Sequence, residues 1–134
     1  MWYIGAKDHP GIYYAVSADK GKTFTKPVAI LTGKWVPPLR SDISIDNKNN
    51  AWITWDGSYG LTANNIHWKF ENISAKIYVE RINGNDNNST ITKFPPVNSG
   101  ENGRAPTIAT GNGLVAVLWN GDDDIDLSLL KTKA

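Results

Sequence analysis

An eight-residue stretch, "SADKGKTF", places two hydroxyl groups, a carboxylate, a glycine and an aromatic ring at fixed spacing between two apolar runs. The Asp19 carboxylate can accept hydrogen bonds from backbone N–H groups across a turn, and Gly21 can adopt a positive φ. We expect Ser17 and Thr23 to join the arms of this turn and Phe24 to be the first side chain that points back into the core. The pattern predicts a structural staple. A calcium loop is the alternative, which a single carboxylate in the turn does not favour.

Few other residues have the spacing of a catalytic or metal-binding motif. The two histidines, His9 and His67, lack the spacing of metal ligands, so a zinc site is not predicted. The run "GDDDID" offers carboxylates for Ca²⁺ but is more typical of a solvated turn. The absence of cysteine excludes thiol nucleophiles and thiolate metal sites. No phosphate-binding glycine loop or nucleophile elbow occurs. We therefore predict no metal and no cofactor.

Composition indicates one soluble globular domain. The chain has 134 residues, of which 40% are hydrophobic and 20% charged, with a formal net charge of +1. This charge gives no electrostatic reason to expect a nucleic acid or an anionic membrane as partner. No apolar run approaches the roughly 20 residues of a membrane helix. Met1 leads directly into "WYIG", which is not a secretory leader, and the sequence does not indicate a compartment.

The periodicity predicts an all-β fold, since no window shows a sustained helical stripe. Short β-branched or aromatic runs are separated by turn clusters such as "DNKNN", "NSGENG" and "TGNG". The predicted strands are "WYIG", "IYYAVS", "KPVAIL", "SDISID", "AWITW", "KIYVERI", "TITKF", "PTIAT", "VAVLW" and "DIDLSLL", and "NIHWKF" is a further candidate. Trp52 and Trp55 are three residues apart on one strand, so we expect them to point to opposite faces.

An internal repeat divides these strands into units. Fourteen residues separate Arg40 from Trp55, and the same number separate Arg104 from Trp119. Each interval contains a strand, a polar turn and a second strand, and a third strand follows each tryptophan. The repeat predicts units of four consecutive strands: three of them in residues 1–33, all four in 39–97 and three in 104–134.

The stretch "SADKGKTF" resembles the Asp-box, or BNR, repeat of sialidase-type proteins, Ser-x-Asp-x-Gly-x-Thr-Trp/Phe. The "R…I…NAWITWDG" units resemble the same repeats, and the resemblance covers nearly the whole chain. It implies a β-propeller, in which four-stranded blades surround an axis. It also implies that the Asp-box lies on the face away from the functional site, which is formed by the loops at the opposite, axial face.

About two and a half blades cannot close a ring, which needs roughly four or more. Either the sequence is a piece of a longer protein, or identical chains complete the ring. Ten strands per chain would make a five-bladed ring from two chains, or a six-bladed ring if "NIHWKF" adds a strand. We expect a homo-oligomer, preferably a dimer, because unfinished blades expose unpaired edges and apolar faces. A compact open β-sandwich of the same strands is the rival architecture.

The resemblance also points to the residues of the axial face. In that family three arginines bind a substrate carboxylate, and a guanidinium suits this bidentate contact. Arg40 and Arg104 match the placement, immediately before the first strand of adjacent units. The alternative is that each arginine forms a salt bridge between blades. The predicted ligand-binding residues are Arg40, Asp56, Tyr59, Trp68, Arg104, Asn120 and Asp122.

These residues favour a non-catalytic, sialidase-like module that binds carbohydrate or another acidic ligand. The alternative is a glycoside hydrolase of the sialidase type, active only when the propeller is complete. The resemblance would then imply a tyrosine nucleophile activated by a glutamate, for which Tyr59, Tyr78 and Glu80 are available. Tyr78 and Glu80 alternate along one strand, a pattern that a solvated strand surface also explains. The catalytic residues, if any, are not identified by the sequence.

Overall fold

The computed structural model describes residues 2–4, 11–32, 40–57, 76–84, 90–98, 103–121 and 124–131. Ten β-strands and no helix lie within these ranges. The strands are β1 (Trp2–Ile4), β2 (Gly11–Tyr14), β3 (Val28–Thr32), β4 (Ser41–Ile45), β5 (Ala51–Gly57), β6 (Lys76–Ile82), β7 (Ile91–Lys93), β8 (Arg104–Gly111), β9 (Leu114–Asn120) and β10 (Ile125–Lys131). The all-β fold class is confirmed for these ranges. The candidate strand "NIHWKF" lies outside them.

The strands form three antiparallel sheets, in which each strand pairs with the next one along the chain. Sheet 1 contains β1–β3, sheet 2 contains β4–β7 and sheet 3 contains β8–β10. The turn between β8 and β9 shows how the local sequence produces these pairings. Gly111 lies opposite Leu114, and the two intervening residues, Asn112 and Gly113, have φ values of 48° and 75°. An Asn-Gly pair is favoured in such two-residue hairpins because both central residues need a positive φ.

Two apolar layers hold the three sheets in a stack with sheet 2 in the middle. The layer between sheets 1 and 2 consists of Ile12, Tyr14, Ile30, Ile53, Trp55 and Ile82. The layer between sheets 2 and 3 consists of Trp52, Ile77, Val79, Ile108, Val115, Val117 and Trp119. Sheet 2 is therefore buried on both faces.

Strand β5 contributes a large aromatic side chain to each layer. Trp52 stacks on Phe94 with 5.4 Å between ring centroids, and the Arg81 guanidinium carbon lies 5.6 Å from the centroid of the Trp52 ring. On the other face, Trp55 stacks on Tyr78 with 5.5 Å between ring centroids. The prediction that the two tryptophans point to opposite faces is confirmed. Because successive strand residues alternate between faces, β5 can fill both layers.

Polar contacts join sheets 2 and 3 along their first strands, β4 and β8. The Asp42 Oδ2 atom accepts hydrogen bonds from Thr107 Oγ1 at 2.8 Å and from Ile108 N at 2.9 Å. Thr110 Oγ1 donates to Ile45 O at 2.7 Å and lies 2.8 Å from Ser44 Oγ. Since a threonine hydroxyl has one hydrogen, Ser44 is the donor in this second contact. We call this set of contacts the β4–β8 seam.

Candidate functional site

The Asp56 carboxylate connects sheets 2 and 3 at the end of the stack where β4 and β8 begin. Its Oδ1 atom accepts a hydrogen bond from Arg40 N at 3.1 Å, and its Oδ2 atom accepts one from Ala105 N at 2.8 Å. Asp56 N also donates to Arg40 O at 3.3 Å. The side chain is only 2% exposed. One buried carboxylate therefore holds the backbone at the start of both strands.

A backbone irregularity brings Ala105 to this carboxylate. The register of β8 against β9 shifts between Arg104 and Thr107, which identifies a bulge. Within the bulge Ala105 has a φ of 52°, a conformation that non-glycine residues rarely adopt because the Cβ atom crowds the backbone. The hydrogen bond to Asp56 helps to stabilise this conformation.

This end of the stack contains four of the seven predicted ligand-binding residues. Arg40 is exposed and directly precedes β4, while Arg104 is half-buried and begins β8. Asn120 is exposed and lies opposite Arg104 in the register of β8 and β9. Because Asp56 holds residues 40 and 105, both arginine side chains start from backbone segments bound to the same carboxylate. The other three predicted residues, Tyr59, Trp68 and Asp122, lie outside the described residues.

Asp56 has a positioning role that the sequence analysis did not anticipate. It was predicted to contact a ligand, yet each of its oxygens accepts a backbone hydrogen bond from a different sheet. A signal was available in the repeat, where Asp56 follows Trp55 as Asn120 follows Trp119. The repeat alone could not reveal which backbone groups the carboxylate would bind, because these lie 16 and 49 positions away in sequence.

Tyr78 and Glu80, candidates for the hydrolase alternative, lie on a face of β6 that packs toward sheet 1. The interpretation of Glu80 as part of a solvated strand surface is wrong, because this residue is only 5% exposed. It lies opposite Ile53 on one side and Lys93 on the other. Burial raises the pKa of the Glu80 carboxyl to about 6, and the Lys93 ammonium opposes this shift. Within the described ranges no group donates a hydrogen bond to Glu80 Oε2.

The Asp19 carboxylate accepts a backbone hydrogen bond across the turn "SADKGKTF", as predicted. Asp19 Oδ1 accepts from Thr23 N and from Ser17 Oγ, each at 2.8 Å, and Asp19 Oδ2 accepts from Thr23 Oγ1 at 2.5 Å. Ser17 Oγ accepts from Gly21 N at 2.7 Å, and Gly21 has a φ of 87°. Hydrogen bonds from the Thr23 side chain and backbone, and from Ser17, lower the pKa of Asp19 to about 2. These hydrogen bonds close the turn between Ser17 and Thr23.

The prediction that Phe24 points into the core is wrong, since this side chain is 66% exposed. The strands on either side, β2 and β3, end at Tyr14 and begin at Val28, so the turn extends well beyond the paired residues. Between the Asp19 hydrogen bonds and these strands, the arms of the turn are also joined by Thr25 N, which donates to Val16 O at 2.9 Å. Phe24 therefore lies outside the layer that sheets 1 and 2 enclose.

A second carboxylate-centred turn, between β4 and β5, was missed by the sequence analysis. Asp46 Oδ1 accepts from Lys48 N at 2.8 Å and Asn50 N at 2.9 Å, while Asp46 Oδ2 accepts from Trp52 Nε1 at 2.9 Å. Although burial opposes the effect, hydrogen bonds from Trp52 and Asn50 lower the pKa of Asp46. The signal was the aspartate that opens the turn "DNKNN". This turn lies at the opposite end of sheet 2 from Asp56.

Neither a metal-binding cluster nor a membrane-spanning helix occurs in the described part of the chain. No group of three or more histidine, aspartate or glutamate side chains within it could hold a metal ion. Nor does it contain a helix long and apolar enough to cross a membrane.

No family model matches the chain, and comparison with curated proteins and with solved structures found no similar protein.

Proposed function

We propose that this chain is a non-catalytic, sialidase-like binding module that accepts an acidic ligand, such as a carboxylate-bearing glycan, beside Arg40 and Arg104. The observation that carries the proposal is the Asp56 bridge, because it fixes the backbone from which both arginines extend. A guanidinium on a fixed backbone loses less conformational freedom when it binds a carboxylate in a bidentate arrangement.

The architecture that we propose for this module is a β-propeller built from Asp-box repeats. Three features support it: the consecutive strand order in each sheet, the stacking of three sheets face to face, and the β4–β8 seam between first strands. In a propeller the first strand of each blade lies nearest the axis, so neighbouring first strands approach one another. Arg40 and Arg104 would then lie at one mouth of the axis, with the Asp-box turn of sheet 1 at the opposite mouth.

Binding of matched glycans tests the proposed function. A sialylated trisaccharide and the same glycan without its sialic acid are titrated calorimetrically into the wild type and into Arg40→Ala and Arg104→Ala. Loss of a charge-assisted bidentate pair costs about 1.5–3 kcal/mol, so each variant should bind the acidic glycan roughly ten- to a hundredfold more weakly. Lys48→Ala removes one positive charge from the other end of sheet 2 and should bind as the wild type does.

The same preparations separate binding from hydrolysis. We expect the wild type to retain the acidic glycan without releasing the fluorophore of a fluorogenic sialoside. Turnover would contradict the non-catalytic function. Unchanged affinity in both arginine variants would show instead that these residues serve only the structure.

A further inference from the structure

The outer face of sheet 3, on the side away from sheet 2, is apolar and exposed. Leu118, Ile125, Leu127 and Leu129 on this face are 36 to 70% exposed. Leu118 lies opposite Leu127 in the pairing of β9 with β10, and Ala116 lies opposite Leu129. Directly opposed side chains of an antiparallel pair share a face, so these residues form one contiguous patch. A contiguous exposed apolar patch marks an interaction site.

The internal repeat identifies the equivalent face of sheet 2. A shift of 64 positions takes Arg40 to Arg104 and Trp55 to Trp119. The third strands can be aligned through the residues that lie opposite these tryptophans. Tyr78 lies opposite Trp55, and Asp126 lies opposite Trp119. The outer face of sheet 3 thus corresponds to the face of sheet 2 that packs on sheet 3.

Residues at corresponding positions differ in what covers them. The alignment of the third strands matches Ile125 and Leu127 of β10 with Ile77 and Val79 of β6. Ile77 and Val79 are fully buried in the layer between sheets 2 and 3. In this chain, then, such a face is covered by the next sheet of the repeat.

In both layers the covering surface is formed by corresponding positions of the repeat. We call this surface the leading face of a sheet. The leading face of sheet 3, with Val117 and Trp119, covers sheet 2, and the leading face of sheet 2, with Ile53 and Trp55, covers sheet 1. Among the described residues no sheet covers the leading face of sheet 1. That face carries Ala29, an exposed residue of β3.

We propose that the outer face of sheet 3 docks on the leading face of sheet 1 of a second copy of this chain. The contact would continue between chains the stacking that already exists within each chain. A head-to-tail contact gives a closed ring if the rotation between successive copies closes, and an open filament if it does not. The smallest closed assembly is a two-fold dimer. The described residues of two chains bring six sheets together, three from each. The proposal rests on the sheet repeat and does not depend on the proposed ligand.

Mass in solution tests this assembly. Gel filtration with light scattering at tens of micromolar should give a dimer for the wild type and a monomer for Leu127→Asp. Phe24→Asp places the same charge on another exposed apolar side chain, outside both faces, and should remain a dimer. A monomeric wild type would overturn the proposal, and so would a dimeric Leu127→Asp variant. Circular dichroism confirms that the variants are folded.

Cysteine cross-linking tests which faces meet, and the chain contains no cysteine of its own. Leu127→Cys places a thiol on the outer face of sheet 3, and Ala29→Cys places one on the leading face of sheet 1. After mild oxidation, a mixture of the two variants should give a disulfide-linked pair, while each variant alone should not. Cross-linking of Leu127→Cys with itself would show that two outer faces pair with each other, which contradicts the head-to-tail contact.

Discussion

Four aspartates of the described ranges bind backbone N–H groups outside the usual pairing of strands, and these contacts explain much of the local geometry there. Asp19 and Asp46 close turns, Asp42 lies in the β4–β8 seam, and Asp56 joins the starts of β4 and β8. An all-β chain with many turns leaves such donors without carbonyl partners, and an unpaired buried donor is costly. The short carboxylate side chain reaches these donors with little loss of conformational freedom.

Asp19→Asn tests the stability of the turn "SADKGKTF" and its dependence on pH. The pKa of Asp19 is lowered from 3.8 to about 2 in the folded chain, so its ionised form stabilises the fold. This contribution is present above pH 4 and is lost as the pH falls toward about 2. We expect Asp19→Asn to melt at a lower temperature than the wild type at pH 7, with the difference shrinking below pH 4.

Asp124→Asn makes the same chemical change at an exposed position and serves as the control. Thermal unfolding followed by circular dichroism measures all three proteins. A difference between Asp19→Asn and the wild type that is constant from pH 7 to pH 2 would contradict the role assigned to the Asp19 charge.

Glu80→Gln tests the opposite case, a buried carboxyl whose pKa is raised from 4.5 to about 6. Here folding favours the protonated form, so the stabilising contribution is present below about pH 4.5 and is lost as the pH rises through 6. The neutral amide should therefore make the protein more stable at pH 7, on the order of 1–2 kcal/mol.

Urea unfolding between pH 4 and pH 7 measures the effect of this substitution. Wild-type stability should fall with rising pH across the window from about 4.5 to 6 more steeply than that of Glu80→Gln. Parallel profiles for the two proteins would place the carboxyl in a more solvated environment than its 5% exposure indicates.

At the scale of elements, the strands could be predicted because alternation and turn chemistry are local. The hairpin at Asn112 and Gly113 needs only two residues of the correct type, and the opposite faces of Trp52 and Trp55 follow from their spacing. The predicted burial of Phe24 was wrong because an apolar side chain in a turn is buried only if the turn packs against a core layer. The bulge at Ala105 could not be predicted, since it depends on an aspartate 49 positions away.

Asp56→Ala tests how strongly sheets 2 and 3 are joined. The substitution leaves the N–H groups of Arg40 and Ala105 without their acceptor and removes the partner that helps to hold Ala105 at its φ of 52°. Loss of a buried acceptor should lower the free energy of unfolding by about 1–3 kcal/mol. Asn120→Ala, at an exposed position of the same end, should change it by less than about 0.5 kcal/mol. Chemical unfolding measures both, and equal stabilities would contradict the bridge.

At the scale of the whole molecule, the stacking of sheets was the hardest feature to derive from the sequence. The repeat predicts three similar units, but it does not say whether their faces meet, because the contacts of Asp42 and Ser44 with β8 are about 65 positions apart. The strand count predicts five blades for two chains, or six if "NIHWKF" adds a strand, and the described residues of one chain form three sheets. Closure of the ring remains a prediction, and so does ligand binding by Tyr59, Trp68 and Asp122.

The division of the chain into contiguous sheets has a consequence for its cooperativity. Sheet 1 lies within residues 2–32, sheet 2 within 41–93 and sheet 3 within 104–131, so each is closed by contacts that are local in sequence. Stability is then approximately a sum of three intrinsic terms and two stacking terms, as in linear repeat proteins. The β4–β8 seam and the Asp56 bridge both strengthen the stacking of sheet 2 on sheet 3. Transient opening should therefore begin at sheet 1, and amide hydrogens of β5, between both layers, should exchange last with solvent.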